Sequence, residues 1–169
     1  MAPIIVLAFF AAQFIAFFNH SNLGKMLAMW GGQALAQSQM SPILLVVAFV
    51  FVTIIFDLFV GSMSAKYAIF APIFVPMFML VGISPELTQA AYRIGDSVAN
   101  IITPLNAYLV IILVAMRQYV PKAGMGTLVA TMLPYTIGFT ILWTLMLVLW
   151  MSTGMPLGPD GPLTYSGVK

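Results

Sequence analysis

The side chains able to carry charge or hold an ion are few, and they cluster. Asp57, Ser62, Ser64 and Lys66 share one short polar break, while Glu86, Gln89, Arg93, Asp96 and Asn100 recur at spacings of three and four. A guanidinium stays charged and presents a planar fork that takes a carboxylate through two parallel bonds, which makes Arg93 a candidate anchor for an organic anion. Asp96, one turn further on, and Asp57 can each bind a cation or take a proton. Asn100, Thr103 and Asn106 surround Pro104 and offer amide and hydroxyl oxygens, and the proline leaves backbone carbonyls without a helical donor. The freed backbone groups can coordinate an ion or a carboxylate, and Ser62 and Ser64 add hydroxyls. Plainer readings compete at each position. Arg93 and Asp96 can form a local salt bridge, Asp57 can pair with its neighbour Lys66, Pro85 can serve only as a helix start, and Ser64 taken alone reads better as a small packing residue.

The chain that carries these groups is built for lipid. Its 169 residues are 62% hydrophobic and 6% charged, with a mean hydropathy of +1.08, whereas a soluble domain devotes about a quarter of its residues to charge. The expected fold class is therefore all-α integral membrane. An ionisable group at the bilayer centre costs about 2.5 kcal/mol or more, so it must face a partner or water. A net charge of +2 with no basic run argues against nucleic acid. The absence of cysteine removes disulfides and thiolate chemistry. No phosphate loop, zinc-protease motif or Ser/His/Asp set is present, so neither an enzyme nor a bound cofactor is expected, and no metal beyond Na+.

The elements that position the polar groups follow from the apolar runs. Residues 3–18 are an uncharged run of about 24 Å as a helix, enough for a first span, and the opening lacks the basic region and cleavage site of a signal peptide. Residues 19–41 read as interfacial, with Trp30 at headgroup level. Residues 42–83 form two short apolar arms around a tip at Gly61–Ala65, the second arm holding Pro72 and Pro76. That pattern suits a re-entrant hairpin, and two ordinary spanning helices are the equal alternative. Ser84-Pro85-Glu86 is a helix start. It opens a helix over 85–116 that is broken around Pro104 and carries Glu86, Gln89, Arg93, Asp96 and Asn100 as one polar stripe. Residues 127–153 form the surest span, in which Trp143 and Trp150 read as lipid contacts or packing, and 154–169 form a Gly/Pro-rich tail leaving the membrane. Arg117 and Lys122 outweigh Lys25, which predicts a cytoplasmic loop between the last two helices and an external C-terminus.

The segments GSMSAKYAIFAPIFVPMFMLVGISPE and AAYRIGDSVANIITPLNAY, with LAFFAAQFIAFFNHSNLG and the closing GMPLGP, closely resemble the p-aminobenzoyl-glutamate (AbgT) transporter family over nearly the whole chain. The resemblance implies a multi-pass carrier of the bacterial inner membrane, dimeric and built from inverted repeats. It implies secondary transport of p-aminobenzoyl-glutamate or related anionic aromatic folate catabolites, or efflux of sulfonamide antimetabolites, driven by Na+ or H+. It also implies that Ser62, Ser64, Pro85, Arg93, Asp96 and Pro104 line the substrate path, and that Asp57, Asp96, Asn100, Thr103 and Asn106 are cation-site candidates. The Thr103-Pro104-Leu105-Asn106-Ala107 stretch is also similar to one in sodium-coupled dicarboxylate carriers. Asp57 stands where the family usually has Asn, and His20 where an aromatic residue is commoner. Family members run to roughly three times this length, so the expectation is that only the second repeat is present, as a fragment, a truncated frame or a half-subunit without transport of its own.

Overall fold

The computed structural model describes residues 9, 12, 13, 16, 17, 20–104 and 106–167. Among them every regular element is a helix: α1 Leu23–Gln37, α2 Pro42–Asp57, α3 Met63–Met79, α4 Pro85–Ala99, α5 Ala107–Tyr119 and α6 Met125–Thr153. No strand forms among the described residues, and an isolated antiparallel bridge joins Ile83 to Thr164. The first span expected over 3–18 lies largely outside the described residues.

Local chemistry accounts for the boundaries. Pro42 opens α2 where its missing N–H costs nothing, and the Thr53 hydroxyl donates to the Phe49 carbonyl at 2.9 Å, so its polarity is satisfied inside the helix. After Asp57 the N–H groups of Leu58, Phe59 and Val60 turn back onto the carbonyls of Ile55 and Phe56. That unwinding comes early. The link between α2 and α3 is therefore residues 58–62, and Met63, Ser64 and Ala65, expected at a tip, lie in the first turn of α3. With 16 and 17 residues, α2 and α3 extend about 24–26 Å, short of a bilayer core of about 30 Å.

Ser84 caps α4 through its Oγ, which accepts from Leu87 N at 3.1 Å. The helix ends at Ala99, and α5 begins at Ala107 behind Asn106, whose side chain accepts from Tyr108 N at 3.1 Å. Helix α6 has 29 residues, about 44 Å. It is the one helix among the described residues long and apolar enough to cross a bilayer, and it stops at Gly154, whose φ of 70° suits a residue without Cβ.

The chain divides into two compact units, one of Met1–Pro42, Ser64–Gln89 and Met155–Lys169, the other of Ile43–Met63 and Ala90–Gly154. In the first unit α1 approaches α3 through Gly31 and Gly32, which face Met77 and Leu80. The tail folds back in this unit: Tyr165 N donates to Gly82 O at 2.9 Å and Ser84 N to Leu163 O at 3.3 Å. Ser84 Oγ adds a bond to Pro162 O at 2.6 Å, so one serine both caps α4 and pins the tail. In the second unit α4 crosses α2 at Gly95, where a Cβ would lie 2.6 Å from Val50 O and 2.7 Å from Thr53 Cβ. Helices α5 and α6 pack through Leu109, Leu113, Ala123 and Leu128, and Arg117 Nε closes their loop by donating to Ala123 O at 2.9 Å.

Candidate functional site

The polar groups of the second unit collect where α4 ends and where α2 ends. Asp57 is the last residue of α2 and is fully buried, as are Thr53 and Thr103. Thr103 Oγ1 stands 2.8 Å from Asp57 Oδ2 and 2.9 Å from the Ala99 carbonyl. A hydroxyl has one proton, so it can donate to only one of the two. With an ionised carboxylate it donates to Asp57; with a protonated one, Asp57 donates to Thr103 and the hydroxyl turns to Ala99. The pair can thus hold or give up one proton without moving a heavy atom.

Asp96, also fully buried, sits one helical turn from the break. Tyr92 Oη and Asn100 Nδ2 each stand 3.5 Å from one of its carboxylate oxygens. Those distances are long, and the Tyr92 hydroxyl gives its proton to the Met63 carbonyl at 2.7 Å. Asn106 Nδ2 reaches back to both Asn100 O at 3.2 Å and Asn100 Oδ1 at 3.3 Å. The two asparagines thus tie the two sides of the helix break together through a side chain.

The expected polar stripe of α4 resolves into two faces. Glu86, Gln89, Arg93 and Ser97 are exposed, whereas Asp96 is buried in line with Thr88, Tyr92 and Ala99. Each residue turns a helix by about 100°, which sets Asp96 about 60° round from Arg93. Asp96 therefore belongs to the buried face, a correction to the single stripe. Arg93 Nη1 contacts Met63 Sδ, and among the described residues the guanidinium has no carboxylate partner.

The second unit brings together Asp57, Ser62, Arg93, Asp96, Asn100, Thr103, Pro104 and Asn106. Ser62 is half-buried in the α2–α3 link and Pro104 is exposed in the break. Ser64, exposed, and Pro85, the first residue of α4, belong to the first unit. Lys66 belongs there too, with its side chain buried, while the partner of Asp57 shown in its own unit is Thr103. Sequence reasoning missed Tyr92 and Met63. Tyr92 had a signal, four residues before Asp96 and hence on its face, but an aromatic in an apolar chain does not stand out.

A family model for AbgT transporters matches residues 1–165. The chain belongs to the AbgT family. AbgT transporters are membrane proteins, and the relatives are transporters rather than enzymes. The chain is 40% identical over 159 residues to the p-aminobenzoyl-glutamate transport protein of Escherichia coli K12, covering 94% of this chain and 31% of that one. The solved YdaH transporter of Alcanivorax borkumensis is similar with a TM-score of 0.86 and 50% identity, covering 94% of this chain and 34% of its own. MtrF of Neisseria gonorrhoeae, described among antimetabolite efflux pumps, has a TM-score of 0.79 and 46% identity over 93% of this chain and 31% of its own. This AbgT chain thus spans about a third of the length of the relatives it matches.

Proposed function

We propose that this chain forms the ion and substrate half-site of a secondary transporter that moves p-aminobenzoyl-glutamate or a related anionic aromatic folate catabolite, or exports sulfonamide antimetabolites. The observation that carries the reading is a polar constellation in a chain otherwise made for lipid. A buried Asp57–Thr103 pair and a buried Asp96 flank a helix break, while Arg93 is exposed beside Asp96 without a carboxylate partner among the described residues. Arg93 takes the acid group of the substrate. Asp57, Asp96, Asn100, Thr103 and Asn106 hold the coupling ion, Na+ or H+, and Ser62, Ser64, Pro85 and Pro104 line the path. The names of the Escherichia coli relative and of MtrF support the substrate classes.

The same reading makes α2 and α3 a re-entrant hairpin, since both are shorter than the bilayer core. It makes α4 and α5 a broken membrane helix. Sites of this kind lie at the interface of inverted repeats and are completed by both, so activity belongs to the intact protein, a dimer of the bacterial inner membrane. The test is flux in proteoliposomes holding the intact protein, with p-aminobenzoyl-glutamate and a sulfonamide as solutes and separate Na+ and pH gradients. Arg93→Ala and Asp96→Asn should each cut flux at least tenfold with unchanged assembly. Wild-type rates in both variants overturn the site assignment.

A further inference from the structure

Trp143 reads from the sequence as a lipid contact or a packing residue, and in the second unit it shares a recess of about 230 Å³ with Arg93, Ile94 and Ser97. Arg93 and Ser97 are four residues apart on the exposed face of α4, and Trp143 comes from α6. Position along α6 separates its two tryptophans. Trp150 lies three residues from the helix end at Thr153, about 5 Å along the axis, as an interfacial anchor does. Trp143 lies ten residues from that end, about 15 Å, too far along the helix for the same anchoring role. The guanidinium on the opposite wall makes its contact with a thioether sulfur and has no carboxylate partner among the described residues. Cation, hydroxyl and indole thus line one small recess, and each has a complementary part in an aromatic acid.

We propose that Arg93, Ser97 and Trp143 form a subsite for an aromatic acid, with the indole against the ring, the guanidinium on the carboxylate and the serine hydroxyl on a polar substituent. The proposal rests on the transport reading above and adds a specificity determinant to it. Aromatic rings favour offset-stacked or edge-on contact with an indole over its loss, whereas an aliphatic acid gains nothing from it. Trp143 therefore selects for the ring, and Arg93 for the acid.

The test is calorimetric binding to the intact protein in detergent, with p-aminobenzoyl-glutamate as the aromatic probe and glutamate as the aliphatic one. Trp143→Leu should weaken the aromatic probe about tenfold, equivalent to about 1.4 kcal/mol, and leave glutamate unchanged. Trp143→Phe should stay within about threefold of wild type. Ser97→Leu, at an exposed position where folding is little affected, fills the recess and should weaken the aromatic probe about tenfold or more. Binding by wild type that Trp143→Leu or Ser97→Leu leaves unaltered overturns the subsite and leaves the transport reading standing. Equal loss of both acids in Trp143→Leu also overturns it, because the indole then acts on structure. A wild-type protein that binds neither acid overturns both readings.

Discussion

Thr103 is hydrogen-bonded to Asp57, one of the two buried acids of the second unit. Its hydroxyl can donate to Asp57 Oδ2 or to the Ala99 carbonyl, and Ala99 O also accepts from Ile102 N at 3.0 Å, so Thr103→Val, nearly the same shape, withdraws a donor from the buried carboxylate. The expected cost is about 1–3 kcal/mol, read as a fall of several degrees in the melting temperature of the purified protein. Asp57→Asn keeps an acceptor oxygen for Thr103 and should cost less than Thr103→Val. An unchanged melting temperature in Thr103→Val would show that the bond contributes nothing. The residue types at this site were legible in the sequence, since a carboxylate, a threonine and two asparagines in an apolar chain ask for explanation. Their partnership was not. Asp57 and Thr103 are 46 residues apart, a separation at which nothing in the sequence points from one to the other.

At the scale of the helices, caps and breakers were readable and crossings were not. Ser84-Pro85-Glu86 announced the start of α4, and the Ser84 Oγ bond to Leu87 N is the physical content of that signal. The return of the tail onto Ser84 had none, because its bonds are to backbone carbonyls, which every residue has. Gly95 illustrates the same limit. In the sequence it is one small residue in a helix, costing about 1 kcal/mol against Ala, but in the second unit it lets α4 approach the Val50 carbonyl and Thr53 Cβ of α2. Neither neighbour is the end of a flexible side chain, so Gly95→Ala must displace α2 and with it Asp57 at its end. We expect a loss of about 1–3 kcal/mol from overpacking. Gly138→Ala is the control, since a Cβ there meets nothing within 4 Å and the higher helix propensity of Ala should leave stability equal or slightly raised. Thermal unfolding of the two variants beside wild type separates them, and equal stability of Gly95→Ala and wild type would remove the close crossing from the account.

At the scale of the whole molecule, composition already demanded lipid, and the helices show why. Ile137, Ile141, Leu145 and Leu149 on α6 are exposed, as are Ile111 and Val114 on α5. Apolar surface of that extent on consecutive helices is covered by lipid or protein, not by water. Membrane residence was therefore plain in the sequence, while the division of α3 and α4 between two units was not, because both run on through the boundary as regular helix. Orientation is the remaining whole-molecule quantity, and it follows from charge. Arg117 in the last turn of α5 is held to the α5–α6 loop by the Ala123 carbonyl, and Lys122 lies in that loop, so by the positive-inside rule we expect this loop on the cytoplasmic side. With α6 about 44 Å long, we expect the tail from Gly154 on the opposite side. The described segment contains no cysteine, which makes it a clean background for labelling in an intact protein freed of any other thiols. A Pro121→Cys variant should react with a membrane-impermeant maleimide only in inverted vesicles, and a Met155→Cys variant only in right-side-out ones, both positions being exposed. Reaction of both from one side would mean that α6 does not cross, whereas reaction of each from the side opposite to that expected would keep the span and reverse the orientation.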